Sequence, residues 1–82
     1  MYQDLDDPIE VIAMFADHQL RPLRFKWRGN VHRITRVTGS WKKPEGESIV
    51  RFFAVVDEQT NVFQLTYNER LTDWILSKVW VE

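Results

Sequence analysis

The chain has 82 residues, 44% of them hydrophobic and 13% aromatic, which suits one packed domain and is too apolar for a disordered segment. It contains no cysteine, so disulfides, thiolate zinc sites and thiol chemistry are excluded together, and its acidic start and short apolar runs lead us to expect a soluble cytoplasmic protein with no membrane partner. The net charge of −1 conceals a segregation: residues 1–20 carry five acids and no Lys or Arg, residues 21–43 carry eight Lys or Arg and no acid, and residues 44–82 are again acidic.

Taken in chain order, residues 1–7, with Asp4, Asp6 and Asp7, are expected to form a flexible acidic segment. Asp7-Pro8-Ile9-Glu10 has the residues of a helix start, with Asp at the cap, Pro first and Glu third. The apolar run from Ile9 to Ala16 fits a strand equally well, and periodicity leaves the choice open. Asp17-His18-Gln19 reads as a turn. Leu23, Phe25 and Trp27 then alternate with Arg24, Lys26 and Arg28, the period of two that marks a half-buried strand. Gly29-Asn30, both tolerant of positive φ, predicts a two-residue hairpin turn into a strand running from Val31 to Trp41. Lys42 to Glu47 is a loop by composition. Ile49 to Val56 is dense in β-branched and aromatic residues and is predicted to be a central strand buried on both faces. A turn over Asp57 to Asn61 leads to a strand at Val62–Tyr67. In the last segment, Leu71, Trp74, Ile75 and Val79 are spaced for a helix face, whereas Trp74, Leu76, Lys78 and Trp80 are spaced for a strand. The expected fold is all-β: a single domain over residues 1–82, built as a small, partly open antiparallel barrel of five or six strands, SH3-like or OB-like.

Several of these stretches, Pro8-Ile9-Glu10-Val11, Pro22-Leu23-Arg24-Phe25-Lys26-Trp27-Arg28-Gly29, Ile34 and Val37 with Trp41, Phe52-Phe53-Ala54-Val55, Val62-Phe63-Gln64-Leu65 and Trp74-Ile75-Leu76, resemble a family of short, uncharacterised bacterial all-β domains. Some members of that family are associated with DNA-repair polymerase genes. The resemblance implies strands at both ambiguous segments and a DNA-repair association, with a DNA-repair protein as a partner. It supplies no catalytic residue. The chain departs from it at Asp17-His18, where the family is expected to place a Gly.

A turn at Gly29-Asn30 would set Trp27 against His32, Lys26 against Arg33 and Phe25 against Ile34, and opposed residues share a face. One face would then show Leu23, Phe25, Trp27, His32 and Ile34 and turn inward; the other would show Arg24, Lys26, Arg28 and Arg33 and turn outward. A cationic ribbon of this kind, with Trp41, Lys42 and Lys43 at its far end, is the candidate surface for single-stranded nucleic acid, the Arg and Lys meeting phosphates and Trp41 stacking on a base. The competing expectation is that the N-terminal acids neutralise it and that the chain is a protein-interaction adaptor using a sheet edge or its aromatics. Trp27, Trp74 and Trp80 alternate with apolar neighbours and are expected in the core. His18 and His32 lack a third ligand at metal-site spacing, Ser40, Ser48 and Ser77 lack a nucleophile-elbow context, and Gly29, Gly39 and Gly46 are isolated. The expectation is therefore a binding module that is not an enzyme and needs no metal or cofactor.

Overall fold

The alternating residues form strands along nearly the whole chain. In the computed structural model, which describes residues 1–82, the elements are β1 (Tyr2–Pro8), β2 (Glu10–Ala16), β3 (Gln19–Trp27), β4 (Asn30–Glu45), β5 (Ser48–Asp57), β6 (Val62–Asn68) and β7 (Asp73–Trp80). No helix is long and apolar enough to cross a membrane. Both ambiguous segments are strands, so there are seven rather than five or six. The acidic start, expected to be free, is β1, laddered to β7 with the Met1 amino group donating to the Val81 carbonyl at 2.8 Å.

All pairings are antiparallel and the order is β1-β7-β6-β5-β4-β3-β2. The sheet, expected as a partly open barrel, is not closed: the end strands β1 and β2 share no ladder. Ile9 alone separates them in sequence, however, so the sheet must roll until its ends meet there; the Ile9 amide donates to the Trp74 carbonyl at 3.2 Å.

The roll depends on the 16-residue β4, which pairs with β3 only over Asn30–Arg33 and with β5 over Ile34–Glu45. Two register shifts bend it, between Ile34 and Arg36 and between Val37 and Gly39. The extra residue at each shift is a threonine. Thr35 donates its hydroxyl to the Val56 carbonyl at 3.1 Å and Thr38 to that of Ala54 at 3.2 Å, which offsets the interrupted ladder. Lys42–Glu45, expected as loop, continue β4 to a tight turn at Gly46 (φ 60°).

The core lies inside the roll and is small: Phe25, Phe53, Val55, Phe63, Leu65 and Leu76. Cross-strand pairs Val55–Phe63, Phe53–Leu65 and Leu65–Leu76 stack its layers. β5 is central, but only its inner face is fully buried; Phe52, Ala54 and Val56 on the other side are half-buried, not enclosed as expected. Trp27 and Trp74 pack against the core, whereas Trp80, 46% exposed, stands edge-on to Tyr2 outside it.

Candidate binding face on β2, β3 and β4

The β3–β4 turn falls at Arg28-Gly29 (φ 52° and 79°), one residue before the predicted Gly29-Asn30. The pairs become Trp27–Asn30, Lys26–Val31, Phe25–His32 and Arg24–Arg33. Tertiary contacts account for the shift. Trp27 Nε1 donates to Asp7 Oδ2 at 2.8 Å, and the Arg28 guanidinium lies 4.4 Å over the Trp27 ring and 3.8 Å from the same carboxylate. Every partner moves by two positions, and a shift of two leaves each side chain on its original face. The predicted cationic face therefore stands, but the like-charge pair is Arg24–Arg33 rather than Lys26–Arg33.

Leu23 departs from the predicted inner face. Ile12 pairs with Arg24 and Ala13 with Pro22, so Leu23 is the bulged residue; Pro22 takes the inward position and Leu23 is 39% exposed.

Four candidate residues share the outer face: Arg24 and Lys26 on β3, Arg28 at the turn and Arg33 on β4. Two are already answered by acids, Arg28 by Asp7 and Arg33 by Glu58 at 3.7 Å. Lys26 lies opposite Glu10 without an ion pair, and Arg24 has none. Trp41, Lys42 and Lys43 are not with them. They pair with Phe52, Arg51 and Val50 on β5, eight residues beyond Arg33, on the order of 25 Å along an extended strand. Trp41 is 43% exposed, but its ring lies parallel to Phe52 (centroids 5.4 Å apart, 2° between planes) and near Gly39, while Lys43 Nζ sits 5.6 Å from the Phe52 ring.

The face contains residues that the charge pattern missed. Outward rows read Glu10–Lys26–Val31, Ile12–Arg24–Arg33 and Met14–Arg21. Ile12, Met14 and Val31 are 51, 44 and 60% exposed, and Arg21 is a further unpaired cation. Two shallow depressions of about 370 and 430 Å³ flank the Ile12–Arg24 pair, one bordered by Glu10, Lys26 and Val31, the other by Leu23 and Arg33. Isolated exposed apolar residues are ordinary; here they alternate with free cations on one surface.

His32 and Asp57 form the one buried polar pair. His32 Nδ1 donates to Asp57 Oδ2 at 2.9 Å, and Asp57 also accepts from the amides of Gln59 and Asn61 and from the Asn61 side chain. Burial raises the energy of the charged carboxylate, but the hydrogen bonds from His32, Asn61 and Gln59 outweigh it and hold its pKa below the ordinary value of 3.8. The imidazole is stacked on Phe25, with Phe63 edge-on, and its Nε2 is buried without a partner. That geometry anchors β4 to the β5–β6 turn, beside a polar depression bordered by Asn30, Arg33, Glu58 and Gln59. No group of three or more His, Asp or Glu side chains is placed to hold a metal ion.

Comparison of the chain with protein-family models, with curated proteins and with solved structures gave no match.

Proposed function

We propose that the chain is a non-enzymatic binding module that holds an acidic, partly apolar segment of a partner protein on the outer face of β2, β3 and β4. The observation that carries this is the alternation of the unpaired cations Arg21, Arg24 and Lys26 with the exposed side chains of Ile12, Met14 and Val31. Carboxylates would answer the cations, and the aliphatic stems of the same side chains would pass over the apolar residues between them. A phosphate backbone would use only half of such a surface, since Ile12, Met14 and Val31 offer phosphates nothing. The acids beside Arg28 and Arg33 and the distance to Trp41 also weaken the case for single-stranded nucleic acid as the ligand.

The test sets a fluorescent peptide alternating glutamate with valine against a single-stranded oligonucleotide of equal charge, each titrated at low and at physiological salt. The peptide should keep binding as salt rises, because apolar contact is not screened, and Arg24→Glu should weaken it by about tenfold or more. Tighter oligonucleotide binding, with a log–log salt slope of about −3 as expected for four phosphates on a single strand, would replace this proposal with the nucleic-acid one.

A further inference from the structure

Resting on the protein-binding reading above, we infer that the partner segment adds to the sheet as an eighth strand, hydrogen-bonded along the open edge of β2 and alternating outward Glu with inward apolar residues. The two end strands of the sheet differ sharply. β1 carries Asp4, Asp6 and Asp7, ends in Pro8 and is irregular between Asp4 and Asp7, all features that discourage strand addition. β2 has none of these beyond Glu10, since the one irregularity in its ladder, between Ile12 and Ala13, puts the extra residue, Leu23, on β3. From Val11 to Ala16 it is free of charge, Pro and Gly, its inner edge is fully laddered to β3, and its outer edge has no partner. Alternate residues of such an edge present unpaired N–H and C=O groups, the template that extended peptides occupy in β-augmentation.

The register specifies the partner's chemistry. A residue placed opposite Ile12 on the outward side falls in the row Ile12–Arg24–Arg33, and one opposite Met14 falls in the row of Arg21. Neighbouring strands are about 4.8 Å apart, so the added residue sits about 9.6 Å from Arg24, within the combined reach of glutamate and arginine side chains passing over Ile12. Inward residues of the added strand would lie beside Val11 and Ala13 and over Phe15, which is 68% exposed at the hairpin end. A second copy of the chain pairing through its own β2 would match Ile12 with Met14 but would add Arg21, Arg24 and Lys26 again, bringing more cations and only Glu10 to answer them. An acidic segment supplies the missing charge.

The probe is the glutamate–valine peptide, made at about seven residues to match β2. Amide hydrogen exchange is measured on the whole chain with and without it, alongside two peptides N-methylated at alternate residues in opposite phases. Strand addition predicts slowed exchange at alternate amides within Glu10–Ala16. It also predicts that methylation in one phase weakens binding by about tenfold or more while the other phase has little effect, since only one set of peptide amides faces β2. Binding of the unmodified peptide with no protection in β2 and no difference between phases would overturn strand addition and leave the protein-binding function standing. Protection of β2 that appears without peptide and grows with protein concentration would overturn it in favour of a second copy. Failure of the peptide to bind at all would remove the function and the mode together.

Discussion

The β2–β3 hairpin and the β5–β7 meander are both rich in aliphatic and aromatic residues, yet they end in opposite states. The meander holds Val50, Phe53, Val55, Asp57, Phe63, Leu65 and Leu76, seven of the nine buried residues; the hairpin holds Pro22 and Phe25. The hairpin instead exposes Ile12, Met14, Phe15 and Leu23. Position in the sheet makes the difference: β5 and β6 have a strand on each side and a core beneath them, whereas β2 has one neighbour and extends past the core at its tip. Apolar residues of one kind thus serve stability in one region and are left available for contact in the other.

The comparison breaks if the meander is not where stability resides. Phe63 is 2% exposed and meets the rings of Phe25, Trp27 and His32, so Phe63→Ala should lower stability by about 3–5 kcal/mol. In a domain of this size each kcal/mol corresponds to roughly 4–8 °C, so thermal unfolding followed by circular dichroism should shift by well over 10 °C, about the smallest drop consistent with a truncated core ring. A shift of only a few degrees would move the stability centre elsewhere.

Asp57 comes next. Asp57→Ala strands the His32 and Asn61 donors and two turn amides, and a loss of about 2–3 kcal/mol is expected at neutral pH. The same site sets a pH dependence. Because the folded carboxyl titrates below its ordinary value of 3.8, its contribution is complete above that pH and is lost as pH falls through the lower folded value. Denaturant unfolding of the wild type should therefore weaken below about pH 4, and Asp57→Asn should flatten that acid limb. An unchanged acid limb in the variant would mean that other carboxylates govern it.

A smaller effect sharpens how the hairpin is held to the rest. Trp27→Phe keeps an aromatic ring but deletes the N–H donor to Asp7 and part of the packed indole, for an expected loss of about 1–2 kcal/mol. Asp7→Asn in the same background should then add little, since the pair is already broken; full additivity would show that Asp7 acts through Arg28 alone.

The strands and most face assignments are legible because alternation at Arg24–Arg28 survives a turn shift that moves partners by two; Leu23 fails because the bulge there has no local signal. The turn itself is not legible, because Gly29-Asn30 is the better local pair and only the distant Asp7 favours Arg28-Gly29. Charge segregation found Arg24, Lys26, Arg28 and Arg33, but not which are answered, since Glu58 and Asp7 lie 25 and 21 residues away from their partners. Continuity of β4 in sequence places Trp41 with the hairpin; the bulges at Thr35 and Thr38, which carry it to β5, have no signature. Ile12 and Met14 are illegible for another reason. In an unbroken apolar run every face looks like a core face, and only the ladder to β3 separates inward Val11 and Ala13 from outward Ile12 and Met14.

The smallest effect expected on stability is the most informative about the hairpin. Met14 and Phe15 are 44 and 68% exposed, so truncating them removes little buried area and leaves no closed cavity behind. Met14→Ser and Phe15→Ser should each change unfolding free energy by no more than about 0.5 kcal/mol in either direction, the range of ordinary surface substitutions. The neighbouring Ala16–Gln19 pair and the Asp17-His18 turn, both residues at positive φ, hold the hairpin end without them. Binding of the acidic peptide should nevertheless fall in both variants, since each removes part of the proposed apolar contact. The two readouts must separate for the comparison to hold. A large loss of stability in Phe15→Ser, measured by denaturant unfolding, would make Phe15 part of a core that reaches the hairpin tip, and β2 would then resemble the meander rather than differ from it.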